Sequence, residues 1–217
     1  MSEKTNAGGI ARIRVWDIFV RLFHWSLVAA YFIAYFTEDD LMGVHVWAGY
    51  VVGGLIVLRI LWGFVGPRHA RFSDFAYGPR AALRYLLALV TFRAKRHIGH
   101  SPAGAVMVYA LLAGLLLAVA SGLLAYGAEG KGPLSTLFAE DGAPIITVIA
   151  GARANGKEDG RKSDRRERKE EFWEEVHEVF ANLTLILILL HIGGVALASL
   201  VHRENLPRAM ITGRKRP

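Results

Sequence analysis

The chain has 217 residues, a formal net charge of +7 and no cysteine, and 53% of its residues are hydrophobic. That hydrophobic share exceeds the level of about 45–50% usual for soluble domains and indicates a membrane protein. The missing cysteines exclude disulfides, thiolate metal sites, iron–sulfur clusters and haem attached through C-x-x-C-H.

Four apolar segments are long enough to cross a bilayer, which takes about 20 residues of helix. They run roughly over residues 18–36, 43–65, 104–126 and 176–201. No A-x-A cleavage site follows the first segment, so we expect an uncleaved span rather than a signal peptide. The sequence predicts one integral membrane domain over residues 1–217, an all-α bundle of four transmembrane helices.

The basic residues indicate the orientation, because cytoplasmic loops are enriched in lysine and arginine. Bases precede the first span, crowd residues 66–103 and follow the fourth span, whereas residues 37–42 carry three acids and no base. We therefore expect a multi-pass protein of the bacterial inner membrane with both termini in the cytoplasm. The bases lie in loops between apolar spans, a distribution that argues against nucleic acid as a partner.

The predicted outer loop, residues 127–172, contains a run of charges with equal numbers of bases and acids. The orientation rule counts bases only, so the bases of this loop favour the cytoplasmic side. The other three loops favour the orientation given above, in which this loop lies outside. The segment before the run, residues 133–156, is mildly apolar and rich in glycine. Two readings stay open for it, a solvated loop and a short helix or lid over the outer face.

Four histidines lie within or at the ends of the spans: His24, His45, His177 and His191. His177 and His191 are fourteen residues apart, which puts them on one face of a helix and about 21 Å apart along its axis. Given the predicted orientation, His24 shares the inner level with His191, and His45 shares the outer level with His177. We assign ordinary polar roles to the remaining histidines, which are His69, His97, His100 and His202.

Two imidazoles that face each other between helices form the usual axial ligand set of a b-type haem. Two depth-matched pairs predict two haem b groups, an inner one on His24 and His191 and an outer one on His45 and His177. The alternative is that each histidine is simply a polar residue with a satisfied hydrogen bond.

Two arginines are candidates to bind the haem propionates, because a buried guanidinium needs an anion. Arg59 follows His45 by fourteen residues and so reaches the inner level, and Arg21 lies three residues before His24. Arg59 could instead extend to the cytoplasmic interface. Gly49, Gly53 and Gly194 could admit a flat ring or serve helix packing.

A di-iron centre is the rival metal site, since Glu174 and His177 form a Glu-x-x-His pair. The first three spans contain no aspartate or glutamate. Such a centre would lack ligands, and we reject it.

Four stretches resemble the prokaryotic cytochrome b561 family, which includes the b-type cytochrome subunits of nickel–iron hydrogenases. They are VWDIFVRLFHW, HVWAGYVVGGLIVLRILWGFVG, GHSPAGA and WEEVHEVFANLTLILILLHIGG, and the resemblance extends from about Val15 to Met210. It implies a four-helix di-haem membrane protein that passes electrons between the quinone pool and a partner. The ligand positions of the family match His24, His45, His177 and His191, whereas the long charged outer loop departs from its pattern.

We therefore expect electron transfer between membrane quinone and a periplasmic carrier such as a c-type cytochrome. One alternative is the membrane-anchor cytochrome b subunit of a hydrogenase or dehydrogenase, and another is a membrane protein without redox function. Whether the chain is itself a quinone oxidoreductase or a subunit of one stays open, and no side chain is assigned a catalytic role.

Overall fold

The structure is a computed structural model that describes residues 13–38, 40–138 and 156–216, without the side chains of residues 156–163 and 165. Most of the mildly apolar segment 133–156, and the bases Lys4 and Arg12, fall outside these residues. The predicted fold class, an all-α membrane protein, is confirmed.

The described part of the chain contains six α-helices, three 3-10 turns and one short β-pair. The helices are α1 (Ile18–Phe36), α2 (Met42–Val65), α3 (Pro79–Val90), α4 (Pro102–Ala128), α5 (Gly156–Val201) and α6 (Leu206–Thr212). Among the described residues, four helices are long and apolar enough to cross a membrane: α1, α2, α4 and the part of α5 within Arg166–Val201.

The helix ends follow local chemistry. Asp17 caps α1, because its Oδ1 accepts a hydrogen bond from the Val20 backbone N–H at 3.0 Å. Ser101 does the same for α4, accepting from the Gly104 N–H at 3.2 Å. Asn205 caps α6, and Gly213 ends it in the left-handed conformation at φ 75°.

Helix α5 begins at Gly156 and continues without a break to Val201. The sequence analysis placed residues 156–172 in the outer loop, but the structure makes them helical. Lysine, arginine and glutamate are strong helix formers, and Arg166 Nε contacts Glu170 Oε1 at 3.3 Å one turn later.

The chain divides into two compact units, one of residues 1–112 with 186–217 and the other of residues 113–185. In the first unit, strand β1 (Ile13–Arg14) pairs antiparallel with β2 (Arg214–Lys215). Beside this pair lies an apolar cluster of Val15, Trp16, Val20 and Ala70, against which Ile13, Trp62 and Met210 pack. Two 3-10 turns, Arg68–Ala70 and Phe72–Phe75, lead from α2 to α3.

Candidate haem-binding site

The first unit brings His24 of α1 and His191 of α5 together. Their ring centres lie 6.5 Å apart and the ring planes are inclined by 56°. An ion held between two imidazoles puts their ring centres about 6 Å apart, because each metal–nitrogen bond is about 2 Å long and each nitrogen lies about 1 Å from its ring centre. The observed spacing therefore fits a pair of axial ligands.

The ring of His24 also has a nitrogen without a hydrogen bond to any described residue. Its Nδ1 is buried, and no hydrogen-bond partner for it occurs among the described residues. The edge of Trp25 lies against the ring, with the centroids 5.0 Å apart. Nδ1 of His24 is therefore available to a group that is not part of the polypeptide.

Arg59 lies one turn before Gly63 on α2 and is only 3% exposed. Its guanidinium carbon is 4.9 Å from the centre of the Phe72 ring. The ring packs so closely on Gly63 that a Cβ there would overlap it. Within the described chain, Arg59 Nη1 has no hydrogen-bond partner. A buried cation with an unused donor requires an anion, and the carboxylate of a haem propionate meets that requirement.

Arg21 lies half-buried on α1, and its Nε likewise finds no partner in the part of the chain that the structure describes. Its side chain runs along the C-terminal turn, where a Cβ added to Gly213 would lie 3.2 Å from Nη1. Unused polar atoms on His24, Arg21 and Arg59 therefore all belong to the first unit. Each suits one part of a haem b, because an imidazole can bind its iron and a guanidinium can bind a propionate carboxylate.

His45, near the start of α2, is fixed by a backbone carbonyl of α1. Its Nδ1 donates to Ala34 O at 2.9 Å. The hydrogen bond at one ring nitrogen decides the tautomer, so Nε2 carries the lone pair that can coordinate a metal.

In the second unit, His177 of α5 is held in the same way against α4. Its Nδ1 donates to Ala118 O at 2.9 Å, and Ser121 Oγ lies 3.4 Å from the same nitrogen. A Cβ on Gly122 would lie 2.9 Å from His177 Cε1, so this position requires glycine for the ring to fit. The pairing of His45 with His177 stays a prediction.

Some features of the site were missed in the sequence. Phe72, Ser121 and Gly122 contact predicted site residues, but their spacing along the chain carries no signal of that contact. Among the described residues, nothing lies within 4 Å of a Cβ added to Gly49 or Gly194, and the role of both glycines stays a prediction.

The described residues contain no group of three or more histidine, cysteine, aspartate or glutamate side chains that could hold a metal ion. They do contain the ring pair of His24 and His191, and two imidazoles, His45 and His177, that donate to backbone carbonyls. A porphyrin supplies four of the iron ligands itself, so two imidazoles complete its coordination.

Comparison with protein-family models matches residues 15–213 to the prokaryotic cytochrome b561 model. Comparisons with curated proteins and with solved structures gave no significant match. The match extends over most of the chain and includes all four span histidines. The chain therefore belongs to the prokaryotic cytochrome b561 family of transmembrane b-type cytochromes that act in electron transfer.

Proposed function

We propose that the chain is a di-haem cytochrome b that transfers electrons between the membrane quinone pool and a periplasmic redox partner. The observation that carries the proposal is the spacing of 6.5 Å between the ring centres of His24 and His191. Family membership adds support, since b-type cytochromes bind haem without covalent attachment and the chain has no cysteine.

At the inner level, His24 and His191 would hold the iron of the haem through their imidazole nitrogens. Arg59 and Arg21 would bind the propionates, and their charges would offset the cost of placing carboxylates in a medium of low dielectric constant. Haem b, when bound, supplies reversible one-electron chemistry, and the protein sets its position and potential. Guanidinium groups bound to the propionates would favour the reduced form of the iron, because positive charge stabilises an added electron.

At the outer level, His45 and His177 would be the ligands of a second haem. Both donate Nδ1–H to a backbone carbonyl, Ala34 O in one case and Ala118 O in the other. Such hydrogen bonds orient a ligating imidazole and raise its basicity. The shared arrangement supports the assignment of both residues to one kind of task.

The distribution of bases supports a location in the bacterial inner membrane with both termini in the cytoplasm. The outer haem then lies towards the periplasm, where a soluble carrier such as a c-type cytochrome can exchange electrons with it. Quinone or quinol is the membrane substrate.

A second candidate is the membrane-anchor subunit of a hydrogenase or dehydrogenase. The charged extension of α5 favours it, because Arg166, Glu167, Arg168 and Lys169 are exposed on a continuous helix that leads into the span. A stable partner subunit would contact that surface. Co-purification of further subunits under mild detergent would select this candidate over a free-standing cytochrome.

The test is a reduced-minus-oxidised absorption spectrum of the purified protein in lipid vesicles. Dithionite should produce the α-band of a b-type cytochrome, and a short-chain quinol should produce part of the same band without dithionite. A colourless protein would refute haem binding, and a band that forms with dithionite but never with any quinol would refute the quinone link.

A further inference from the structure

Helix α3 is a short helix in the loop between the second and third spans. It has twelve residues, Pro79–Val90, and is therefore about 18 Å long, whereas the hydrocarbon core of a bilayer is about 30 Å thick. It cannot cross the membrane, yet it is rich in leucine.

The residues of α3 form two distinct apolar faces. Ala82, Tyr85 and Leu89 are buried against the protein. The second face, which we call the outer apolar face, lies roughly 110° around the helix. It consists of Leu83, Leu86, Leu87 and Val90, which are between 46% and 65% exposed. Four adjacent large apolar side chains outside any span require a nonpolar environment.

Basic residues border the outer apolar face. Arg80 and Arg84 lie one turn apart along its edge, and both are exposed. Arg93, Lys95 and Arg96 follow the helix directly, and the sequence contains no acid from Phe75 to Ala128. An apolar stripe with a basic border is the pattern of a helix that lies in the membrane surface and contacts anionic lipid.

Phe92 is a second, independent observation. It occupies the left-handed position after α3 at φ 57°, where glycine is usual. The turn is a Schellman motif, since Phe92 N–H donates to Leu89 O at 3.1 Å and Arg93 N–H donates to Ala88 O at 2.7 Å. A bulky residue in this conformation is strained, and the ring is 68% exposed, so packing within the described chain does not account for the choice of phenylalanine.

The buried face of α3 is attached to the chain segment that follows the fourth span. Tyr85 Oη and His202 Nε2 are 3.0 Å apart. Beyond the helix, Arg96 forms a two-pronged hydrogen bond with Glu204, with both N–O distances 3.2 Å. These contacts fix the rotation of α3 about its axis and therefore the direction of the outer apolar face.

We propose that α3 lies in the plane of the membrane surface and binds anionic phospholipid. Leu83, Leu86, Leu87, Val90 and Phe92 enter the acyl-chain boundary. Arg80 and Arg84 hold phosphate headgroups at the border. The occupant is a lipid rather than a protein, because the exposed guanidinium groups of Arg80 and Arg84 complement the anionic leaflet and the helix adjoins the end of a span. The proposal does not depend on the assignment of haem.

The position of α3 can be measured with nitroxide labels, and the absence of native cysteine makes single-site labelling clean. Leu87→Cys reports the outer apolar face, and Lys169→Cys, exposed on α5, is the control. In bilayers that contain phosphatidylglycerol, the label at 87 should be relaxed mainly by oxygen and the label at 169 mainly by an aqueous nickel chelate. Equal exposure of both labels to the nickel chelate would overturn the membrane position.

Headgroup recognition can be tested by counting lipids retained on the full-length protein in native mass spectrometry. Arg84→Gln should lower the retention of phosphatidylglycerol about fivefold relative to wild type. Arg168→Gln, an exposed arginine of α5, should leave it unchanged. Equal losses in the two variants, or equal retention of phosphatidylcholine and phosphatidylglycerol by the wild type, would show that α3 has no preference for anionic lipid.

Discussion

The span histidines differ in what their ring nitrogens contact. His45 and His177 each use Nδ1 to donate to a backbone carbonyl, whereas Nδ1 of His24 is buried with no partner among the described residues. A carbonyl bond makes an imidazole a stronger electron donor to a bound metal. In the proposed di-haem assignment, His24 and the other pair of ligands would differ in basicity, and this would help to give the two haems different potentials.

His100 shows a role that the sequence analysis did not anticipate. We assigned it to an ordinary polar position in a loop, but it lies buried between Trp16 and Phe75, with ring-centre distances of 4.7 Å and 4.2 Å. Burial lowers the pKa of His100 to about 3, and the positive charges of Arg59 and Lys215 act in the same direction. The folded protein therefore keeps this imidazole neutral.

This neutral imidazole makes stability depend on pH. In the unfolded chain His100 titrates near pH 6.5, so below that pH the unfolded state binds a proton that the folded state refuses. The stability that the neutral ring contributes is complete above about pH 6.5 and declines by about 1.4 kcal/mol for each pH unit below it. His100→Phe keeps the aromatic packing and removes the titration.

We expect the stability difference between wild type and His100→Phe to shift by about 2 kcal/mol in favour of the variant between pH 7.5 and pH 5. The measurement is the free energy of unfolding in detergent at both pH values. A difference that does not change with pH would show that His100 is protonated in the folded protein or is not buried.

Among the elements, long apolar runs were the most predictable. The first span extends over residues 18–36 in the sequence analysis and α1 over Ile18–Phe36 in the structure, because an uninterrupted apolar segment can satisfy its backbone in a membrane only as a helix. Helix α3 was not predicted, since twelve residues that mix arginine and leucine resemble a basic loop when only bases are counted. The helical start of α5 was also missed, because its many charges were interpreted as a solvated loop.

The β1–β2 pair could not be predicted from local sequence. It joins Ile13 to Lys215 and Arg14 to Arg214, and its strands have only two residues each, too few for a periodic pattern. Gly213, which precedes β2, makes the pairing possible. Its carbonyl accepts hydrogen bonds from the Val15 and Trp16 N–H groups at 2.9 Å and 3.2 Å.

Gly213→Ala tests this contact between the β1 and β2 segments. The residue has φ 75°, and an added Cβ would lie 2.6 Å from Trp16 O, an atom of the backbone that cannot move aside alone. We expect a loss of about 1–3 kcal/mol, visible as a lower midpoint of thermal unfolding in detergent.

Gly54→Ala is the matched control for that substitution. Gly54 lies on α2, on the side of the helix opposite His45, and nothing lies within 4 Å of an added Cβ. Alanine there should leave stability unchanged or raise it by about 0.5–1 kcal/mol. Equal losses at both positions would argue against a specific contact at Gly213.

For the molecule as a whole, the sequence indicated an all-α membrane protein. The structure added the contacts that join residues near β1 and residues 93–96 to the segment after α5. Glu204 connects these segments, because it accepts hydrogen bonds from Arg96 and from the Arg216 N–H at 3.2 Å. Burial alone raises the pKa of Glu204, but the hydrogen bonds from Arg96 and Arg216 outweigh it, so the pKa lies below the ordinary value. The carboxylate therefore stays charged at neutral pH and holds the C-terminal segment in place.

The sequence predicts some features of the candidate site and not others. The helical repeat alone puts His177 and His191 on one face of α5, because fourteen residues are close to four turns. Sequence cannot show that Phe72 packs on Gly63 beneath Arg59, or that Gly122 makes room for His177. Those contacts depend on how separate elements pack, and a hydrophobic pattern specifies which face is buried without specifying the neighbour.

The central claim is that four histidines bind two haems in two fixed pairs. The most direct measurement is the haem content per polypeptide, with the low-temperature spectrum, of wild type and of the alanine variants at positions 24, 45, 177 and 191. We predict two haems in wild type and one in each variant. His24→Ala and His191→Ala should lose the same spectral component, and His45→Ala and His177→Ala should lose the other. Loss of different components within a pair, or a wild type with a single haem, would contradict the account.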